Sequence, residues 1–289
     1  DLNPQIVPFL TKDVGIWLDT GIRDSDRDWI ADWKDVAPEI GIYDYTYGTY
    51  YAVPRYYPHL MQESYEYLES IGVKSYFAEW QPGWGEGPKA YIQAKLSRDP
   101  SLDVDQLLES WATLAVGAAA AVPLIAYYEH WEDFWTTRVT DTEWWEASRR
   151  GIYLNIHTSS YLDAVTQADI DLTESLMAQV ETLAVTADQQ ARADVLARSA
   201  DIYAASMASY PKSTVTVDSE QDALDWLADD GGVATAIEKA ALRNQLLDTE
   251  LARTDSALYG DPRLFGSGNN WNGVNTHLQA RFVEYLASS

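Results

Sequence analysis

Cysteine is absent from this 289-residue chain, which removes a disulfide framework, a thiol nucleophile and a Cys-ligated zinc. Basic residues are few, 20 against 45 acidic ones, and the formal net charge of -25 argues against nucleic-acid binding through phosphate neutralisation. Long apolar runs are missing too. The longest weakly polar stretch, Leu114 to Tyr128, is interrupted by Gly117 and Pro123, short of the roughly 18 residues of a membrane-spanning helix. No signal peptide is legible, and the chain opens on Asp1 rather than Met, as a processed product or a segment of a longer polypeptide would. HExxH, GxGxxG, P-loop and GxSxG patterns do not occur, which argues against zincin, nucleotide and serine-hydrolase chemistry. The histidines His59, His130, His157 and His277 are scattered. His130, beside Glu129, Glu132 and Asp133 on an aromatic stretch, reads as packing at a core edge rather than a metal site. No metal and no cofactor is expected.

What the chain does have is aromatic and acidic. Hydrophobic residues make up 46% of it, enough for a sizeable core in one large domain or two smaller ones. With 12 Trp and 19 Tyr, some of these rings must be structural. Of the 45 acidic residues 28 are Asp, and only 7 of the 20 basic residues are Lys. That balance reads as adaptation to high salt, where short carboxylates hold water and screening relieves self-repulsion. A generic acidic secreted protein is the plainer reading. An extracellular or cell-surface location is favoured.

The first third alternates strand and helix signals. Val14 to Leu18 reads as a strand ending at Asp19, Asp24 to Val36 as a helix, Ile40 to Tyr43 as a strand ending at Asp44, and Tyr57 to Ile71 as a helix stopped by Gly72. Ser75 to Glu79 reads as a buried third strand, and Lys89 to Leu96 as its helix. This order with short connections implies parallel strands with helical crossovers. Helices follow over Val104 to Gly117, Ala118 to Trp135, Asp163 to Val185, Thr186 to Ser209 and Ala234 to Thr254. A Gly/Asn-rich tail, Gly260 to Gly273, and a last helix, Thr276 to Leu286, close the chain. Residues 1–140 and 141–289 divide as a strand-bearing region and a helical domain. Three strands do not close a barrel, so the chain is expected to start within a domain. Asp24, Asp26 and Asp28 have the odd spacing of a calcium loop, but Trp29 stands where Gly is required, and the run reads as an Asp-rich helix start.

The stretch from Gly72 to Asp99 carries the strongest chemical signal. Glu79 ends a strand, and a loop with Trp80 and Trp84 follows it. Asp44 ends the preceding strand, so the two carboxylates are expected to share a face and converge, as glycoside hydrolysis requires. A pairing of Glu79 with Arg55 or Lys89, and a capping role for Asp44, are the structural alternatives. Asp19 is a third candidate, which an Asx-turn with Thr20 and Gly21 explains equally well. Tyr45, Tyr47, Tyr50 and Tyr51 join Trp80 and Trp84 in the loops, where aromatic faces suit pyranose rings and hydroxyls suit sugar hydroxyls. Arg55 could hold a uronic acid carboxylate in bidentate fashion.

Trp33, Ile42-Tyr43-Asp44-Tyr45, Gly72-Val73, Glu79, Tyr91 to Leu96 and Gly117-Ala118-Ala119, taken in order, resemble a DUF4838-type domain. That family is of unknown function and is related to the alpha-glucuronidases and beta-hexosaminidases that use (β/α)8 barrels. The resemblance covers roughly residues 10–140. It implies an α/β fold: the late-strand portion of a (β/α)8 barrel, its first half upstream, followed by a mainly helical region. It also implies a glycoside-hydrolase-like protein acting on a polysaccharide or uronic-acid-bearing glycan. Asp44 and Glu79 would then be late-strand carboxylates, and the acid from an earlier strand would precede residue 1. A non-catalytic carbohydrate-binding protein and a cell-surface scaffold are the rival readings, since fold alone does not carry function.

Overall fold

The computed structural model describes residues 2–3, 5–81, 83–211, 219–222, 233–264 and 271. The expected last helix, and most of the Gly/Asn-rich tail, lie outside them. The described chain begins with β1 (Phe9–Lys12), α1 (Thr20–Val36), β2 (Gly41–Tyr45), α2 (Pro58–Ser70), β3 (Ser75–Glu79) and α3 (Lys89–Leu96). It continues through α4 (Val104–Val116), α5 (Ala118–Asp133), α6 (Glu143–Ser148), α7 (Gln167–Leu183), α8 (Ala187–Ser209) and α9 (Val233–Leu251).

The three strands form one parallel sheet in the order β1-β2-β3, as the alternation of strand and helix implies. Within the described residues the sheet is open. Its first strand is not the expected one. Val14 to Leu18 is a 3-10 helix, and β1 lies one segment earlier. Asp13 makes the difference: its carboxylate accepts from the Gly15 backbone N–H at 2.9 Å and folds the chain into a turn, while the Val14 N–H donates to Asp44 rather than to a neighbouring strand. An apolar run alone does not separate a short strand from a buried helical turn.

Side chains alternate between the two faces of a sheet. One face carries Leu10, Ile42, Asp44 and Tyr76 and looks onto the helices. Tyr76 meets Tyr65 of α2 at 4.8 Å between rings, and Lys12 pairs with Asp26 of α1 at 2.9 Å. Asp26 also accepts from the Trp17 indole, so the Asp-rich run serves helix α1, which already begins at Thr20. The other face carries Phe9, Tyr43, Tyr45, Phe77 and Glu79, and it is open: Phe9 is 46% and Phe77 52% exposed. β3 is therefore a half-exposed edge strand, not a buried one.

Capping explains where the helices start. Asp19 caps α1, Asp103 caps α4, and Thr166 and Thr186 make capping boxes with Asp169 and Gln189. Gly117 separates α4 from α5 at a φ of +89°, where a side chain would be strained. Helices α4, α5, α7, α8 and α9 pack on one another. One continuous core runs from Leu10 to Trp271 and crosses residue 140 through Trp131, Phe134 and Trp135 on one side and Trp144, Trp145 and Tyr161 on the other.

Candidate functional site

The loop between β2 and α2 closes the carboxyl end of the sheet, and it is buried. Arg55 lies at its centre, 0% exposed, with Nη2 donating to both oxygens of Asp13 at 2.6 and 2.7 Å. Its Nη1 donates to the carbonyls of Tyr45 at 2.7 Å and Tyr47 at 3.1 Å. Further along, the Ala52 N–H donates to the Tyr161 hydroxyl at 2.7 Å, and the Trp135 indole donates to the Pro54 carbonyl at 2.6 Å. Buried loop backbone needs such partners, and these side chains supply them. Lys89 donates to the Arg55 carbonyl at 2.8 Å and pairs with Glu86. Glu86 is buried against Gly48, where any larger residue would run into its carboxylate.

Several expectations change here. Arg55 is a structural ion pair, with its two terminal nitrogens bonded within the protein and no exposed surface to offer a uronate. Tyr47 and Tyr51 are buried: Tyr47 packs between Tyr45 and Tyr50, and Tyr51 sits among Trp135, Trp144 and Tyr161. Asp19 caps α1 by accepting from the Ile22 N–H at 2.9 Å and pairs with Arg149. The carboxylate that ends β1 is instead Asp13, which also accepts from the Leu154 N–H at 3.0 Å.

The largest correction concerns the pair of strand-end carboxylates. Tyr45 is the register partner of Glu79, and Asp44 is the partner of Ala78. A one-residue offset puts side chains on opposite faces of a sheet, so Asp44 and Glu79 do not converge. Asp44 faces the helices, buried, with one oxygen accepting from the Val14 N–H at 3.0 Å and the other without a partner among the described residues. Burial, then the nearby Asp13, pushes its carboxyl up to about 7, against the lowering effect of the Val14 bond and of Arg55.

Glu79 stands on the open face, partly exposed, and is paired with neither Arg55 nor Lys89. Its Oε2 accepts from the Tyr43 hydroxyl at 2.5 Å. That bond first, then burial, pushes the Tyr43 hydroxyl up to about 12. Tyr43 belongs to a strip of rings. Phe77 lies 4.7 Å from it and Tyr45 5.2 Å, and beyond Tyr45 come Tyr153 at 5.1 Å and then Tyr47 and Tyr50. Gln81 donates to the Tyr50 hydroxyl at 3.3 Å. Trp80 and Trp84 stand exposed in the loop after β3, which the Trp84 N–H anchors to the Ala257 carbonyl at 3.0 Å. Tyr43 and Tyr153 were not among the residues expected at the site. Tyr43 was legible in principle, since it lies two residues before Tyr45 and so shares its face. Tyr153 arrives from more than 100 positions away, with no local signal.

Residues 9–130 match the model of a domain of unknown function, DUF4838. The DUF4838 match opens on the first residue of β1 and ends within α5, so it takes in the whole sheet, Glu79, Tyr43, Trp80 and Trp84. No curated protein and no solved structure matches the chain.

Proposed function

We propose that this protein is glycoside-hydrolase-like and binds a glycan along the open aromatic face of its sheet, with Glu79 as the acid/base or water-activating carboxylate. The observation that carries this reading is the Tyr43–Glu79 hydrogen bond of 2.5 Å, set in a strip of Phe77, Tyr45 and Tyr50 with Trp80 and Trp84 at its rim. Tyrosine and tryptophan faces match the C–H faces of pyranose rings, and their polar tips bond sugar hydroxyls. Tyr43 holds one carboxylate oxygen of Glu79. The other, Oε1, takes no hydrogen bond from the described residues and is left for a ligand. Parallel strands in sequential order with helices on one face are what a segment of a (β/α) barrel has, and catalytic groups in such barrels sit at the carboxyl ends of strands. In this reading the open face is the interior of a barrel that further strands complete.

Hydrolysis needs two carboxylates, about 5–5.5 Å apart for retention or about 6.5–9.5 Å for inversion. Asp44 is on the wrong face and Asp13 is bonded to Arg55, so neither is the partner of Glu79. Among the strand residues, Glu79 is the one carboxylate on the open face. That single-carboxylate face also favours a second reading, a carbohydrate-binding protein without turnover.

The test is a panel of plant and microbial glycans at high salt, measured for binding by calorimetry and for turnover by released reducing ends. The variants are Glu79→Gln, Tyr45→Ala and Trp84→Ala, and any longer product of the same reading frame is assayed alongside. Tyr45→Ala and Trp84→Ala are expected to weaken binding by about 2–13-fold each, from about 0.5–1.5 kcal/mol per lost ring contact. Turnover that Glu79→Gln abolishes while binding survives supports the enzyme. Binding with no turnover in any sample supports the second reading, and no glycan affinity in any sample sinks both.

A further inference from the structure

A second feature lies away from the aromatic strip, between the loops that follow β2 and β3 and helices α8 and α9. It is a cavity of about 30 Å³ lined by Thr49, Glu86, Ser199, Tyr203, Ser206 and Arg243 among others. On this measure a single water needs roughly 10–15 Å³. The cavity therefore admits one or two waters, or one small ion, but no sugar ring.

Its wall is short of partners. Arg243 Nη1, Ser199 Oγ, Thr49 Oγ1 and Glu86 Oε1 are all buried and without a hydrogen bond. Arg243 is 1% exposed. Its Nε donates to the Ser206 hydroxyl at 2.9 Å, and its guanidinium lies over the Trp271 ring at 3.9 Å from the centroid. Neither contact supplies negative charge. The titratable groups that act on it are Tyr161 first, then Arg263 and Asp261, which pair with each other at 2.8 Å. Burial pulls its pKa down to about 10, the direction of a cation deprived of solvent. Arg55 shows what this chain does elsewhere with a buried guanidinium: it places Asp13 in bidentate contact. No carboxylate among the described residues does that for Arg243, and an uncompensated buried charge is costly.

We propose that this cavity is a site for a small monovalent anion of halide size, held by Arg243 Nη1 with the hydroxyls of Ser199 and Thr49. Hydroxyls and a guanidinium donate hydrogen bonds, as a halide requires, and the Ser206 oxygen is already an acceptor for Arg243 Nε. Glu86 is the carboxylate on the wall, and its other oxygen is paired with Lys89. An anion here ties the β2–α2 loop, through Thr49, to α8 and α9.

Unfolding of the whole chain in chloride or bromide, balanced with gluconate to constant ionic strength, separates specific binding from screening of the net charge. Gluconate is too large for the cavity. Linkage predicts that the folding equilibrium constant rises about tenfold for each tenfold excess of chloride over its Kd. Arg243→Gln and Ser199→Val should weaken or abolish that dependence. A wild-type curve identical in chloride and gluconate overturns the proposal and leaves water as the occupant. Because loss of Arg243 also removes the Trp271 contact, crystals of the wild-type chain grown in bromide give an independent readout. An anomalous peak beside Arg243 Nη1 supports the site, and bromide bound elsewhere with none in the cavity overturns it.

Discussion

Two buried charges illustrate how position decides what a side chain does. Arg55 has the residue type and the loop location of a ligand clamp, yet its bonds to Asp13 and to two carbonyls make it the pin of the β2–α2 loop. Replacing it by Met leaves the Asp13 carboxylate buried without its counter-charge. The expected cost is about 3–5 kcal/mol, read from denaturant unfolding midpoints. Asp44 behaves in the opposite sense. Its folded-state pKa of about 7 stands above the ordinary aspartate value, so the folded protein holds a proton that the unfolded chain releases. Stability from this group is full below about pH 4 and falls as pH rises towards 7. Asp44→Asn keeps an oxygen for the Val14 N–H and cannot ionise. It should match the wild type near pH 4 and exceed it at pH 8 by on the order of 1–3 kcal/mol. Equal unfolding free energies for the two proteins at pH 8 would contradict this assignment.

Strand β3 shows the same logic at the scale of an element. Adjacent residues of one strand meet different surroundings: Tyr76 packs on Tyr65 of α2, while Phe77 looks outward from the open face. Tyr76→Ala is expected to cost roughly 1–3 kcal/mol, and Phe77→Ser about 0.5 kcal/mol or less. Thermal unfolding of the two variants checks this. A larger loss from Phe77→Ser than from Tyr76→Ala would mean that the outward face is covered in solution. The starts of α2, α4, α5, α8 and α9 to within a residue, the Gly117 break and the extents of β3 and α3 were legible in the sequence, because they rest on local chemistry: caps, glycine and apolar spacing; α1 begins four residues before its expected start and α7 four residues after. β1 was not. Its neighbour Val14 to Leu18 is the more apolar run, and the turn that Asp13 enforces becomes visible only when its bonds to Gly15, Arg55 and Leu154 are seen together.

Across the whole molecule the dominant quantity is the net charge of -25. Like charges at this density repel, and a Debye length of about 10 Å at 0.1 M salt falls to about 3 Å at 1 M. The unfolding temperature is expected to rise from low to molar salt even with gluconate as the anion, and any halide effect at Arg243 adds to that rise. Equal stability at low and molar gluconate would sink the high-salt reading of the composition. The continuous core from Leu10 to Trp271 further predicts a single unfolding transition that takes sheet and helices together. Coincidence of circular dichroism and tryptophan fluorescence curves is the check.

By itself the sequence determined the parallel strand-helix order, most helix boundaries, the acidic composition and the position of Glu79 at a strand end beside aromatic residues. Each of these depends on residues close together in the chain, or on composition. Only the tertiary structure decided which carboxylates share a face. The register of β2 against β3 turns Asp44 away from Glu79 by a single residue, and register depends on how separate strands are packed. It likewise decided that Arg55, Tyr47 and Tyr51 are interior, that Tyr43 and Tyr153 belong to the strip, and that Arg243 is buried with no carboxylate paired to it among the described residues. Burial is a property of what surrounds a side chain, and those surroundings come from segments far away in the sequence.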